Sequence, residues 1–342
     1  MLYHIPQTQM LSSAQKSLSP DAKQKSVFSE LISFLIVAMI ASFAVSIIQS
    51  TVTTLLMMFD PGYHEIIESI VASESYDVQP LMDYMLEFLN SLPSEIHIVF
   101  LASSALYIVG AIIYCKRFEK RSLFSLGFNK RGILPEYVSG LILGAVMIAL
   151  PALICHLTGC IIFSFDRSAS PLVIALFFVA FVLQGMGEEV LLRGYLMTSL
   201  TRRHSPWFAI IVSALTFSFF HIPNANFSII AFINIVLFGI FAGVFMLKRG
   251  SIWAVCATHT AWNFLQGNIF GISVSGNPKF SSVLNATNAD FGTILSGGEF
   301  GLEGGLGVTI VLLIALLLAL MSPGKKSELD ENSSEQCANE KG

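Results

Sequence analysis

Residues 307–320 read GVTIVLLIALLLAL, and Thr309 is the only polar side chain among them. With its flanks at 305–322, this run approaches the roughly 20 residues that a membrane-spanning helix needs. Of the 342 residues, 54% are apolar and only 12% are charged, whereas a soluble domain carries about 25% charged residues. The composition indicates a membrane-embedded protein and argues against a cytosolic enzyme or a disordered chain. The net charge of −4 gives no basic surface for a nucleic-acid partner.

Similar apolar stretches recur along the whole chain. Each is long enough to cross the bilayer as a helix, and polar loops separate them. We therefore predict an all-α polytopic membrane protein with about eight transmembrane helices. The predicted spans lie near 31–59, 96–115, 134–158, 171–200, 207–222, 227–247, 251–270 and 305–322.

Positive charges are distributed unevenly over the loops between these spans. The loop 116–132 holds six Lys or Arg residues, whereas 60–94 holds none and is acidic. Because positively charged loops stay in the cytoplasm, we predict a multi-pass protein of the plasma membrane with both termini cytoplasmic. All of the 19 Lys and Arg residues except Arg167 and Lys279 then lie on the cytoplasmic side or at its boundary.

Two of the connecting segments are long. In 60–94, Leu81, Met85 and Phe88 follow a helical spacing, which predicts a short amphipathic helix on the outer surface. The segment 271–304 is rich in Gly and is predicted to be irregular. The pair at 202–203, two arginines, is predicted to contact lipid headgroups.

Ionisable side chains inside a membrane span are costly, and by default they mark function. Here they are confined to the fourth, fifth and seventh spans, and one amide accompanies them. The candidate site residues are Glu188, Glu189 and Arg193 in the fourth span, His221 in the fifth, and His259 and Asn263 in the seventh.

Helical geometry predicts which of these side chains meet. Glu189 and Arg193 are four residues apart, so they share a face and can form an ion pair. Glu188 lies about 100° around the helix from Glu189, so the two carboxylates point in different directions. In the antiparallel hairpin of the fourth and fifth spans, Glu188 and His221 both lie roughly 24 Å from the tip. They are therefore predicted to meet at one level, in a pocket on the cytoplasmic side of the bilayer.

This set of groups fits hydrolysis. A carboxylate and an imidazole at one point can deprotonate a water. His259 and Asn263 share a helical face and can donate hydrogen bonds to an oxyanion. The same side chains leave a zinc site open, with Glu188, His221 and His259 as ligands and an open position for water. No H-E-x-x-H motif is present to decide between the two.

The three motifs carry a family resemblance. E-E-x-x-x-R-G-Y-L stands at 188–196, F-x-x-x-H at 217–221 and H-x-x-x-N at 259–263. In this order, each in an apolar span, they resemble the motifs of the CPBP intramembrane proteases, the CAAX-protease and bacteriocin-processing family also called Abi. The resemblance covers about 135–322. The Gly-rich stretch at 296–305 is more similar to the bacterial branch.

The resemblance implies an eight-span endopeptidase that cuts a membrane-associated protein, lipopeptide or peptide within the lipid bilayer. It implies that Glu188 and His221 activate the attacking water, and that His259 and Asn263 hold the oxyanion. The supporting residues implied in this way are Glu189 and Arg193. A metal-free mechanism is favoured, and a zinc-dependent metalloendopeptidase is the alternative.

Two other functions stay open from the residues alone. Glu188 and His221 would suit the proton relay of a proton-coupled transporter, and the chain would also suit a non-catalytic membrane scaffold. The predicted organisation is a cytoplasmic N-terminal segment (1–26), two spans with the acidic external loop 60–94 (27–134), a protease core (135–322) and a disordered cytoplasmic tail (323–342).

Overall fold

The computed structural model describes residues 5–18, 26–72, 77–130, 132–289 and 291–324. The predicted disordered tail lies almost wholly outside these residues. The main helices are α1 (Gln9–Lys16), α2 (Val27–Met57), α3 (Pro61–Ala72), α4 (Gln79–Ser91), α5 (Ser94–Ser103), α6 (Ala105–Arg117), α7 (Ile133–Leu157), α8 (Pro171–Thr201), α9 (Pro206–His221), α10 (Ile229–Arg249), α11 (Trp253–Phe264) and α12 (Leu306–Met321).

Each of the eight predicted spans corresponds to a helical segment. Five segments, namely α2, α5 with α6, α7, α8 and α10, are long and apolar enough to cross a membrane, and α9 and α12 are apolar but shorter. The second span is interrupted at Ser104, and α11 continues as a π-helical turn over Leu265–Ile269. The prediction of an all-α polytopic membrane protein is confirmed.

The long connecting segments are more ordered than the sequence indicated. The acidic segment 60–94 forms two helices, α3 and α4, and the hydroxyl of Tyr84 donates to Asp60 Oδ1 (2.6 Å) between them. The segment 271–304, predicted to be irregular, contains β2 (Leu284–Asn288), which pairs antiparallel with β1 (Ile161–Phe165). Five-residue strands far apart in the chain leave too short a pattern to be predicted.

The two ends of the bundle differ in charge. One end, which we call the basic end, carries the loops 118–132, 202–205 and 250–252, and α1 packs against it with Met10, Leu11 and Ala14 buried. Ion pairs close this end, among them Arg249 with Glu136 (2.7 Å). The opposite end, the loop end, carries the loops 158–170, 222–228 and 270–305.

The arginines predicted to contact lipid headgroups are instead buried at the basic end. Arg202 donates to Glu119 (3.0 Å), and Arg203 pairs with Glu30. Arg121, which is fully buried, donates to the other oxygen of Glu119 (2.9 Å) and to Ser199 (2.8 Å). Although burial alone would raise the pKa of the Glu119 carboxyl, the guanidinium groups of Arg121 and Arg202 hold that pKa below its usual value. A guanidinium in this interior needs such a partner.

Small residues bring α7 against α11. A Cβ atom on Gly140 or Gly144 would lie well under 3.0 Å from the backbone carbonyl of Ala254 or Thr258. The two helices therefore touch backbone to backbone, which only glycine allows at this separation. This contact fixes the position of α11, the helix that carries His259.

Candidate active site

A cavity of about 820 Å³ lies inside the bundle, lined by the long helices and by the loops of the loop end. Aliphatic and aromatic side chains form most of its wall. The polar groups collect where α8, α9 and α11 meet. Four of the candidate residues line the cavity together with one amide that the sequence analysis missed: Gln184, Glu188, His221, His259 and Asn263.

Behind this wall, Glu189 joins two motifs. Its Oε1 accepts from Nη1 of Arg193 (3.1 Å), as the four-residue spacing predicts, and also from Nδ1 of His259 (2.9 Å). The side chains of Glu189 and Arg193 are fully buried. Because Nδ1 of His259 is used on Glu189, its Nε2 is left to face the cavity. Glu189 therefore orients the imidazole of α11 from α8.

Glu188 lies on the cavity side of the same helix. Its Oε1 accepts from Nε2 of Gln184 (2.6 Å), and its Oε2 lies 3.6 Å from Nε2 of His259. Oε2 has no hydrogen-bond partner among the protein groups. A quarter of the Glu188 side chain is exposed, against none of Glu189. This carboxylate can accept from a water or a substrate in the cavity.

Gln184 links the third motif to the first. Nδ2 of Asn263 donates to Oε1 of Gln184 (2.9 Å). Nε2 of Gln184 in turn donates to Oε1 of Glu188. The spacing of Gln184 and Glu188 is the signal that would have found it. Four residues apart on an apolar helix, these polar side chains share a face.

His221 stands on the last turn of α9. Its Nδ1 donates to the carbonyl oxygen of Phe217 (2.8 Å). Since a carbonyl oxygen only accepts, Nδ1 carries a proton, and Nε2 is the ring atom that can act as a base. The rings of Phe217 and His221 meet edge to face with centroids 4.7 Å apart. The guanidinium carbon of Arg193 lies over the ring of Phe217, 4.4 Å from the ring centroid.

The structure thus brings five of the six predicted residues into direct contact or one step from it. His221 shares the cavity with Glu188, but no hydrogen bond or ion pair joins these two described side chains. The contact of His259 with both carboxylates was not predicted, because a rotation of 100° separates Glu188 and Glu189 on their helix. The imidazole fits between them from a neighbouring helix.

The position of the cavity also differs from the prediction. It runs from the middle of the bundle to the loop end, where Asn224, Ser275 and Asn277 line it. The sequence argument placed the pocket toward the basic end. A depth of roughly 24 Å from that end already passes the midplane of a hydrocarbon core about 30 Å thick, which explains the difference.

The described side chains are not gathered into a zinc site in this structure. Among them no three His, Cys, Asp or Glu residues come together as a group that could hold a metal ion. The proposed ligands Glu188, His221 and His259 lie around one cavity, and each imidazole has its Nδ1 bonded to the protein, which leaves Nε2 as the atom that could bind a metal. Only Nε2 of His259 approaches Glu188.

A second buried carboxylate was also missed. Glu303, in the Gly-rich stretch, lines the cavity opposite α8. It accepts from Nε2 of Gln266 (2.5 Å), from Oγ of Ser275 (3.2 Å) and from Nε1 of Trp262 (3.4 Å). These bonds attach the loop 297–305 to the π-helical turn after α11. A glutamate between glycines in a loop gave no sequence signal of burial.

Residues 170–265 match the family model described as type II CAAX prenyl endopeptidase Rce1-like. This region contains all three motifs and all six candidate residues. Over these residues the chain is similar to the Rce1-like CAAX proteases. Comparison with curated proteins gave no match, and neither did comparison with solved structures.

The family resemblance predicted from the three motifs is confirmed over this region, and the match supports an intramembrane endopeptidase of the CAAX type. The match runs from the start of α8 to the end of α11, the helices that form the polar wall of the cavity. The bacterial branch stays a prediction.

Proposed function

We propose that the protein hydrolyses a peptide bond of a membrane-associated protein, lipopeptide or peptide in the cavity, with Glu188 as the principal general base. The observation that carries this proposal is the hydrogen-bonding of Glu188. One carboxylate oxygen is fixed by Gln184 at 2.6 Å, and the other is buried without a protein hydrogen bond, 3.6 Å from Nε2 of His259, in a side chain that lines the cavity and is a quarter exposed. A carboxylate held in this way can take a proton from a water.

The reaction follows from this geometry. Glu188, assisted by Nε2 of His221, removes a proton from water, and the water oxygen forms a bond to the scissile carbonyl carbon. In its imidazolium form, with Nδ1–H held by Glu189, His259 donates its Nε2–H to the carbonyl oxygen as negative charge grows there, and the second amide hydrogen of Asn263 does the same. When the carbon–nitrogen bond breaks, Glu188 returns the proton to the leaving amine, and the products are a carboxylic acid and an amine.

Glu189 and Arg193 support this arrangement without touching the substrate. Glu189 fixes the ring of His259, and Arg193 neutralises Glu189 in the protein interior. Each of these two buried charges offsets part of the desolvation penalty of the other. The proposed mechanism uses protein groups alone.

The test is cleavage of a fluorogenic peptide library by purified protein in detergent, with and without a metal chelator. Glu188→Gln should lower kcat by about 10²- to 10⁴-fold, the usual contribution of a general base. Glu299→Gln is the matched control, because Glu299 is an exposed glutamate at the loop end. Chelation should leave the wild-type rate unchanged.

Two results would overturn the proposal. Normal cleavage by Glu188→Gln would remove Glu188 from the chemistry. Loss of activity on chelation, restored by zinc, would replace the general-base mechanism with a metal-dependent one. A transporter or a scaffold would instead show no protease activity in the wild type. Proton flux in proteoliposomes would identify a transporter, and rescue of a deletion phenotype by the Glu188→Gln protein would identify a scaffold.

A further inference from the structure

The cavity is closed toward the basic end. Below Glu188, every residue of the π-helical segment Val190–Met197 is buried. Tyr195, 1% exposed, packs against the ring of Phe34, with centroids 5.7 Å apart. Below them lies the buried network of Arg121 and Glu119. A peptide cannot reach the polar wall through this layer without unpacking it.

At the loop end the cavity wall is made of loops. α9 ends at His221, about 22 Å from its first residue, and the chain continues as the loop 222–228. Asn224 and Asn277 line the cavity there, and Nδ2 of Asn224 donates to the carbonyl of Ser275. Phe280 completes this rim from the loop after α11. Polar, partly exposed groups therefore surround the mouth.

The cavity also opens sideways between α2 and α9. Met39 and Phe43 line it, yet each is 69% exposed on the outer surface of α2. On α9, Phe220 also lines the cavity and is exposed. Its ring stacks on Phe34 of α2, with centroids 6.1 Å apart. Side chains that border both the cavity and the lipid mark a lateral opening, through which an apolar segment in the bilayer can reach the site.

Charge assigns the two ends to sides of the membrane. All of the 19 Lys and Arg residues except Arg167 and Lys279 lie at the basic end, inside α8, or outside the described residues. Positively charged loops stay in the cytoplasm, so the loop end faces the opposite side. The described lining of the cavity contains no Lys, Arg or Asp and contains two glutamates, Glu188 and Glu303.

From these observations we propose that the substrate reaches the site from the non-cytoplasmic side. It would be a lipid-embedded segment that passes between α2 and α9, continued by an uncharged or basic stretch that lies in the loop-end mouth. This inference rests on the proposed function. It makes cleavage an event of the outer leaflet, and it disfavours substrates with acidic residues next to the cut.

A pair of matched variants tests the direction of access. Lys279→Cys places a thiol at the loop-end mouth, and Lys130→Cys places one at the basic end; both lysines are exposed. Each is made with Cys337→Ser, because the other native cysteines are buried. In intact cells, a membrane-impermeant maleimide should label Lys279→Cys alone. After permeabilisation it should label both.

The same thiols test the route to the site. In detergent, attachment of a polyethylene glycol maleimide to Lys279→Cys should lower peptide cleavage roughly tenfold, because access then limits turnover. The same reagent on Lys130→Cys should leave the rate unchanged. Reversed labelling in cells would overturn the outer-leaflet assignment, and inhibition through Lys130→Cys alone would overturn the route. Either result leaves the Glu188→Gln test of the proposed function untouched.

Discussion

Gln184 shows how much of the site depends on a side chain that carries no charge. It accepts from Asn263 and donates to Glu188, so a single amide couples α11 to the proposed base. A hydrogen bond to a carboxylate is stronger than one between neutral groups, and its loss lets the carboxylate rotate. We therefore assign Gln184 a positioning role in hydrolysis.

Replacing Gln184 by Met keeps the length of the side chain and removes both hydrogen bonds. We expect kcat to fall about ten- to a hundredfold, since such a charged hydrogen bond is worth roughly 1.5–3 kcal/mol, while KM stays unchanged. Steady-state kinetics on one peptide give both constants. A raised KM with an unchanged kcat would show instead that Gln184 binds substrate.

At this scale the sequence revealed the ionisable groups but not their partners. Glu188, His221 and His259 stood out because charged or titratable side chains are expensive in an apolar helix. The ion pair of Glu189 with Arg193 followed from spacing on one helix. The place of His259 between two carboxylates depends on how α8 and α11 are rotated against each other, and one sequence carries no measure of that rotation.

Among the helices, the backbone contact between α7 and α11 positions the reacting groups. Gly144 faces the carbonyl of Thr258, the residue directly before His259. A methyl group there has no space, so α11 must move. Overpacking of this kind typically costs about 1–3 kcal/mol, and a small shift of the imidazole disturbs its bond to Glu189.

Gly144→Ala should therefore lower both the melting temperature and the cleavage rate. Gly110→Ala is the matched control, because a Cβ atom on Gly110 would lie 3.5 Å from Ala41 Cβ, an ordinary contact. Thermal unfolding in detergent and peptide cleavage measure the two effects. Equal behaviour of the two variants would show that the contact of α7 with α11 does not determine the position of His259.

The ionic network at the basic end connects the loop 118–132 with α8. Glu119→Gln leaves the fully buried Arg121 with its full charge and a weaker partner. Removing one member of a buried pair costs about 3–5 kcal/mol, so we expect a clear loss of stability with little change in kcat. Unfolding in detergent measures the loss. An unchanged midpoint would show that this network is not a structural clamp.

The pH dependence of this contribution has a definite sign. The pKa of Glu119 is lower in the folded protein than its ordinary value of 4.5, with burial opposing and the arginines dominating that shift. The stabilisation is therefore complete above the ordinary pKa and is lost as the pH falls through the lowered one. The difference in stability between wild type and Glu119→Gln should shrink in that acidic range.

Over the whole molecule, apolar run lengths were enough to predict the fold class and to locate a helical segment for each predicted span. The hairpin of β1 and β2 and the buried Glu303 were not predictable, because both depend on contacts between segments far apart in the chain. Charge distribution separated the two ends of the bundle. It did not show that the cavity would open at the end with few basic residues.

The early stop of α9 has a consequence for electrical insulation. With the cavity open at the loop end, the access proposed above brings the outer solution to the level of His221, near the middle of the bilayer. A transmembrane voltage then falls mainly across the buried layer beneath Glu188. Moving one elementary charge through the full voltage takes about 2.3 kcal/mol per 100 mV. A proton exchanged between Glu188 and the outer solution avoids almost all of that work, so the reaction proceeds alike in energised and de-energised membranes.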